Sequence, residues 1–247
     1  MRVATTTRQQ EPEGYFRNRS DGMDGILIVN KPQKMTSHDV VDVIRRIYGT
    51  RKVGHAGTLD PMATGVLVML IGKATKQSQS ISAAEKEYEA TMTLGTRSVT
   101  GDAWGKLEPS DKPADFTDGE IRAVFQKFVG EIDQIPPAYS AKKIKGVKMY
   151  HLARKGESIE ALPQKITIKD IYISKINLPD ISYKIICSKG TYVRQLCVDI
   201  GDLLGCGGYL SRLERTRSGI FAIDRAISLE ELKAMNVTEL GERLLPL

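Results

Sequence analysis

Little in this sequence suits redox, metal or acyl-transfer chemistry. Its 247 residues include only three cysteines and three histidines. Cys187, Cys197 and Cys206 form no Cys-x-x-Cys pair, and three thiols cannot all pair within one chain, so they read as reduced core thiols of a cytoplasmic protein. His38, His55 and His151 do not have the spacing of a zinc-binding helix, and no serine stands in a Gly-x-Ser-x-Gly elbow. Gly72-Lys73 lacks the glycine spacing of a phosphate loop, and Ala74 replaces its hydroxyl residue. The longest apolar run, Val66 to Ile71, is far short of the roughly 20 residues that span a bilayer, so no membrane span is expected. Residues 1–24 are polar, carry several arginines and lack an apolar stretch of signal-peptide length; they read as a flexible tail. Repeats and low-complexity tracts are also missing.

What remains is an ordinary globular composition with a basic bias. Hydrophobic residues make up 41% and charged residues 27%, which excludes disorder over most of the length. The excess of 36 Lys and Arg over 30 Asp and Glu suits a polyanionic partner without identifying one. Basic residues gather in three places: Arg45, Arg46, Arg51 and Lys52; then Lys142, Lys143, Lys145 and Lys148; then Arg212, Arg215 and Arg217. Each group alone reads as a solvated face. Together with Tyr139, Tyr150 and Tyr209 they lean towards RNA.

Periodicity predicts strands at 25–29, 66–71 and 88–94, the last with Tyr88 on its inner face, two or three strands between 164 and 187, and a final strand at 219–223. It predicts a helix capped by Ser37 and stopped at Gly49, a helix over 117–130 capped by Asp118, and a short helix ending near Gly156. A further helix carries Arg194 in its first turn and ends at Gly205, and a last one opens on the capping box of Ser228 and Glu231. The stretch from Lys52 to Gly65 has three glycines and no period, and runs straight into an apolar strand. It is a loop braced by core. Within it Asp60 precedes Pro61, which biases the aspartate backbone towards an extended conformation. Alone, an Asp-Pro pair is usually a turn element.

The surrounding residues change that reading. Gly54-His55-Ala56-Gly57-Thr58-Leu59-Asp60-Pro61-Met62-Ala63-Thr64-Gly65 resembles the signature of the TruB family of tRNA pseudouridine synthases. The resemblance continues, in the family's order, through Lys31-Pro32, Lys86-Glu87-Tyr88, Gln134-Ile-Pro-Pro-Ala-Tyr-Ser-Ala141, Cys187-Ser-Lys-Gly-Thr-Tyr-Val-Arg194, Leu204-Gly-Cys-Gly207 and Arg215-Thr-Arg-Ser-Gly219. Two departures stand out. The chain stops at Leu247, where many members begin a small RNA-binding domain, so it looks like a short form. Gly208-Tyr209 replaces the usual Ala-His.

The resemblance implies an α+β fold: a mixed, mostly antiparallel central sheet flanked by helices, forming one catalytic domain over 25–247 with an RNA-binding thumb inserted at 139–162. It implies isomerisation of uridine 55 in the T loop of tRNA to pseudouridine after base flipping. The catalytic set is Asp60 acting at C1′, Arg194 as its basic partner and Tyr88 stacked on the base. His55, Lys31, Tyr192, Leu213, Thr58 and Leu59 contact the substrate, and Lys142, Lys143, Lys145, Lys148 and Arg154 meet RNA phosphates. The reaction gains and loses no atom, so no cofactor or metal is expected. The partner is the tRNA T stem-loop; the protein is expected to act as a monomer, without a protein partner or membrane, in the cytoplasm. A tRNA-folding chaperone using the same pocket is the alternative. The related branch that works with a guide RNA is disfavoured by the His-Ala-Gly form of the motif.

Overall fold

The computed structural model describes residues 23–140, 142–144, 146–154 and 161–247. In chain order it forms β1 (Gly25–Lys31), α1 (Ser37–Tyr48), β2 (Val53–Ala56), β3 (Thr64–Ile71), α2 (Ser78–Ser82) and β4 (Lys86–Leu94). The hairpin of β5 (Thr96–Ser98) and β6 (Leu107–Pro109) leads to α3 (Asp118–Gln126) and β7 (Gly130–Gln134). The basic excursion holds β8 (Lys143–Ile144), β9 (Val147–Lys148) and α4 (Met149–Arg154). Then come β10 (Gln164–Asn177), β11 (Asp180–Cys187), α5 (Val193–Leu204), β12 (Gly208–Ser218), β13 (Phe221–Ala222), α6 (Leu229–Ala234) and α7 (Val237–Glu242).

Nine strands make one sheet in the order β1-β3-β12-β4-β11-β10-β7, with β2 also on β3 and β13 on β12. Every pairing is antiparallel except β12 with β3, so the sheet is mixed and mostly antiparallel, as expected. α1, α3, α5 and α6 bury their apolar stripes against one face in the main core. A second, smaller cluster of Ile26, Ile28, Val66, Val68, Leu70 and Phe221 covers the other face of β1 and β3. Burial on both faces is why Val66 to Ile71 is continuously apolar, whereas β4 alternates, burying Lys86, Tyr88, Ala90, Met92 and Leu94.

Several boundaries differ from the sequence reading. Thr36, not Ser37, caps α1, in a capping box with Asp39, and Thr117, not Asp118, caps α3, in a box with Glu120. In each case the threonine has the extended backbone of a cap, and the acidic residue three positions on returns the bond. α3 ends at Gln126, short of Gly130, which takes φ +109° and opens β7. The last predicted strand shrinks to β13, followed by a 3-10 turn. Met23 and Asp24, assigned to the tail, belong to the fold: Met23 packs on the core, and Asp24 accepts from the Lys73 backbone N–H at 2.7 Å and pairs with Lys73 Nζ at 2.9 Å. The remainder of the tail, residues 1–22, lies outside the described residues.

Candidate active site

The loop from Gly57 to Ala63, between β2 and β3, is held from two sides. From above, Ser37 Oγ accepts from the Leu59 N–H at 2.9 Å and lies 3.2 Å from the Leu59 carbonyl, and Lys34 N–H donates to Pro61 at 2.9 Å. From below, the fully buried Arg215 donates to three carbonyls: Val66 from Nε at 2.7 Å, Thr58 from Nη1 at 3.3 Å and Gly57 from Nη2 at 3.0 Å. Leu59, Met62 and Ala63 anchor the loop in the core. Gly65 is required where β3 meets β12: at φ +97°, a Cβ would stand 2.3 Å from the Arg215 carbonyl oxygen. Asp60 is left projecting, its side chain 37% exposed, between buried Leu59 and exposed Pro61.

Arg194, in the first turn of α5, meets that carboxylate. Its Nη2 lies 2.9 Å from Asp60 Oδ2, and the side chain is only 5% exposed. Nη1 donates to the Thr100 carbonyl at 2.7 Å and Nη2 also to the Tyr139 carbonyl at 3.1 Å. Nε faces a second carboxylate, Asp102 Oδ2, at 3.4 Å without hydrogen-bond geometry. Asp102 is itself held through Oδ1 by the Thr100 hydroxyl and the Trp104 N–H. Gly101, at φ +76°, lets this turn approach: a Cβ there would lie 2.9 Å from Arg194 Cγ. Sequence reading missed Asp102, because its one signal was a turn glycine beside it.

Beside the pair opens a cleft of about 320 Å³, whose wall includes Asp60, Tyr88, Tyr192, Arg194, Leu213 and Arg215. Thr58 and Leu59 line it as well. Tyr88 and Arg215 are cross-strand partners, as are Ala90 and Leu213, so β4 and β12 supply one wall. Burial raises the Tyr88 phenol above its usual range, with the Arg215 charge opposing the rise. Tyr192 precedes α5 and is clamped by Gln134, whose amide donates to the Tyr192 carbonyl at 3.1 Å and accepts from its N–H at 2.8 Å. Burial raises the Tyr192 phenol too. Lys86 is buried with Nζ donating to the Ser82 and Ala84 carbonyls, and burial first, then Arg215, lowers it to about 8.

Other sequence-selected residues lie elsewhere. Lys31 does not line the cleft: it is fully buried, donating to the Pro32 and Met35 carbonyls at 2.8 Å each, and burial lowers it to about 8 against the pull of Asp60. Its ammonium braces the chain ahead of α1. His55 sits in β2 away from the cleft wall, with Nδ1 buried and unpartnered, and burial lowers its imidazole, followed by Arg215 and His38. Lys142 donates to Gln164 Oε1 at 3.1 Å. Lys143 and Lys148 pair in the β8–β9 hairpin and Arg154 ends α4; Lys145, with 155–160 of the thumb, lies outside the described residues. The third basic group is not a basic face. Arg215 points into the core, while beyond the register shift that separates it from Arg217, Arg217 pairs with Glu85 and Glu87, and Arg212 pairs with Glu214.

Comparison with known proteins gives this site its context. The model of the TruB family pseudouridylate synthase N-terminal domain matches residues 45–193, and that of the tRNA pseudouridylate synthase B C-terminal domain matches residues 194–247. The chain is 48% identical over 225 residues to tRNA pseudouridine synthase B of Alkaliphilus oremlandii and 46% over 223 residues to that of Syntrophotalea carbinolica. It covers 91% and 90% of itself and 74% and 73% of those relatives. With the Opitutus terrae protein of the same name it is 43% identical over 224 residues, covering 91% of itself and 93% of that relative. Among solved structures, a chain of a Cbf5-Nop10-Gar1 complex is 29% identical with a TM-score of 0.70, covering 91% of this chain and 60% of that one. A chain of the archaeal box H/ACA sRNP Nop10-Cbf5 complex is 31% identical with a TM-score of 0.64, covering 85% of this chain and 53% of that one. The protein belongs to the TruB family of pseudouridylate synthases.

Proposed function

We propose that the chain isomerises uridine 55 in the T loop of tRNA to pseudouridine. The observation that carries this reading is the Asp60–Arg194 pair at the edge of the Tyr88 and Leu213 cleft. The cleft, about 320 Å³, falls at the lower end of the range for small-ligand sites and suits one flipped base. Stacking on an aromatic face, worth ~1–3 kcal/mol, offsets much of the few kcal/mol that extrusion costs.

Asp60, oriented by Arg194, faces the ribose and stabilises or captures the cationic C1′ as the N1–C1′ bond breaks. Tyr88, held as a phenol by burial, lies against the freed base and stacks on it. Leu213 and Tyr192 bound the base, with Thr58 and Leu59 at its edge. His55 fills the gap that the flipped nucleotide leaves in the T loop, and Lys31 secures the pocket floor from beneath. The thumb at 139–162, with Lys142, Lys143, Lys145, Lys148 and Arg154, neutralises phosphates of the T stem-loop. The protein works without cofactor or metal, as a monomer with no obligatory protein partner, in the cytoplasm. Identity of 43–48% to the lone-named tRNA enzymes, against 29–31% to chains solved in protein complexes, supports that reading over a guide-RNA assembly.

The test is Asp60→Asn on a T stem-loop transcript. Binding persists and pseudouridine formation, read by carbodiimide mapping, is lost. A variant that binds and converts at the wild-type rate removes Asp60 from the chemistry. A wild type that binds but never converts leaves the RNA-chaperone reading in its place.

A further inference from the structure

Two buried cations on the cleft wall have no carboxylate partner among the described residues. Arg215 and Lys86 are 1% and 5% exposed, and each donates to backbone carbonyls. Burying a charge without a counter-charge is unfavourable, and a methionine or leucine would fill such a site more cheaply. Three of the five Arg215 N–H groups go to carbonyls of the Asp60 loop and β3, leaving two beyond that use. The strand register places both cations beside the base site. Tyr88 is opposite Arg215 across β4 and β12, and Lys86 lies two residues before Tyr88 on the same face. The charges are felt there: Arg215 opposes the rise of the Tyr88 phenol and depresses Lys86. Asp60 stands on another wall, committed to Arg194. Arg194 counters the Asp60 carboxylate, whereas the two cations beside Tyr88 have no carboxylate among the described residues to counter them.

We propose that Arg215, with Lys86 beside it, stabilises the negative charge that uracil carries between leaving N1 and rejoining through C5. This deepens the isomerase reading above and rests on it. When the N1–C1′ bond breaks, its electron pair stays on the base, which becomes an anion, while C1′ is left cationic and is met by the Asp60 carboxylate. After the base turns, C5 supplies the electron pair for the new C5–C1′ bond, C5 then loses its proton and N1 gains one. Atoms and charge balance without a co-reactant. In the interval the base is a free anion inside the cleft, and a preformed cation on that wall lowers its energy without reorganisation. The carbonyl bonds of Arg215 hold that cation in place.

The experiment compares transcripts with uridine or 5-fluorouridine at the target, under single turnover, following loss of the starting nucleoside. Fluorine withdraws electrons from the ring, so the departing base carries its charge more easily and relies less on the protein. Arg215→Lys and Arg215→Met are expected to slow loss of uridine by more than tenfold and loss of 5-fluorouridine by a several-fold smaller factor. Equal slowing on both substrates overturns the proposal and reduces Arg215 to a brace of the Asp60 loop. If the Arg215 variants fail to fold, Lys86→Met takes their place: a smaller effect on the fluorinated substrate supports the cationic wall, and an equal one overturns it. A wild type inert towards both substrates is the failure of the isomerase reading itself, and is seen before any variant is compared.

Discussion

Arg194 serves two carboxylates at once, Asp60 through Nη2 at 2.9 Å and Asp102 through Nε at 3.4 Å. Asp102 therefore opposes the pull of Asp60 and sets where the guanidinium rests. Asp102→Asn keeps the size of the side chain and removes its charge. Removing one charge of a nearly buried ion pair is costly, so turnover is expected to fall roughly 10-fold or more with tRNA affinity little changed, checked by single-turnover rates beside filter binding. Lys86 gives a prediction in pH. Its pKa is lowered from 10.5 to about 8, mainly by burial, then by Arg215 and Lys189, with Cys187 opposing. Between about pH 8 and 10.5 the unfolded chain thus binds more protons at this site than the native one, and stability rises with pH. Lys86→Met lacks that dependence. Relative to the variant, the wild type should gain about 1.4 kcal/mol per pH unit across the window, measured by urea unfolding at pH 7.5 and 9.5. Parallel curves would show that Lys86 does not titrate there.

At the scale of elements, the site depends on where α5 begins. α5 has no side-chain cap; its entry is fixed instead by Gln134, at the end of β7, bonded to both peptide groups of Tyr192. Gln164 at the start of β10 donates to the Gly190 carbonyl at 2.7 Å. Both strands that bound the thumb therefore grip the loop ahead of Arg194. Gln134→Ala leaves the Tyr192 N–H unpartnered, at ~1–3 kcal/mol, while the Tyr192 carbonyl keeps the Leu196 N–H at 3.0 Å. The expected result is a lower urea midpoint and a reduced kcat; an unchanged midpoint would mean that water replaces the amide at no cost. Helix ends and strands with a clean period were legible from local sequence, as with the left-handed stops at Gly49 and Gly205 and the Ser228–Glu231 box. The true caps Thr36 and Thr117 each stand one residue before the predicted cap. Ser and Asp are competent caps by type, and only the backbone angles separate neighbours.

At the scale of the molecule, the feature that matters most is the path of β12. It comes from the last sixth of the chain, yet lies between β3 and β4, parallel to one and antiparallel to the other. That insertion brings Leu213 and Arg215 to Asp60 and Tyr88. The two family models meet between Val193 and Arg194, at the cleft itself, although the sheet they share is continuous. The thumb belongs to this scale as well. Replacing Lys142, Lys143, Lys145 and Lys148 by alanine is expected to weaken tRNA binding and to flatten the dependence of log K on log salt by up to ~0.7–0.9 for each phosphate that is no longer neutralised. An unaltered slope would remove these lysines from the RNA interface.

Asp60, Tyr88 and Arg194 were singled out through the family resemblance that their local motifs carry, and the structure brings all three to one cleft. Local spacing also specified the alternation of β4 and the apolar stripe of α5. What the sequence did not contain was which cations end up inside. Arg212, Arg215 and Arg217 look alike in a row, and Lys31 and Lys86 look like surface lysines. Burial of a charged side chain is decided by what packs over it and which carbonyls turn towards it, and both come from distant segments. Tertiary structure alone therefore placed Arg215 under the Asp60 loop, Asp102 behind Arg194 and Gln134 at the head of α5.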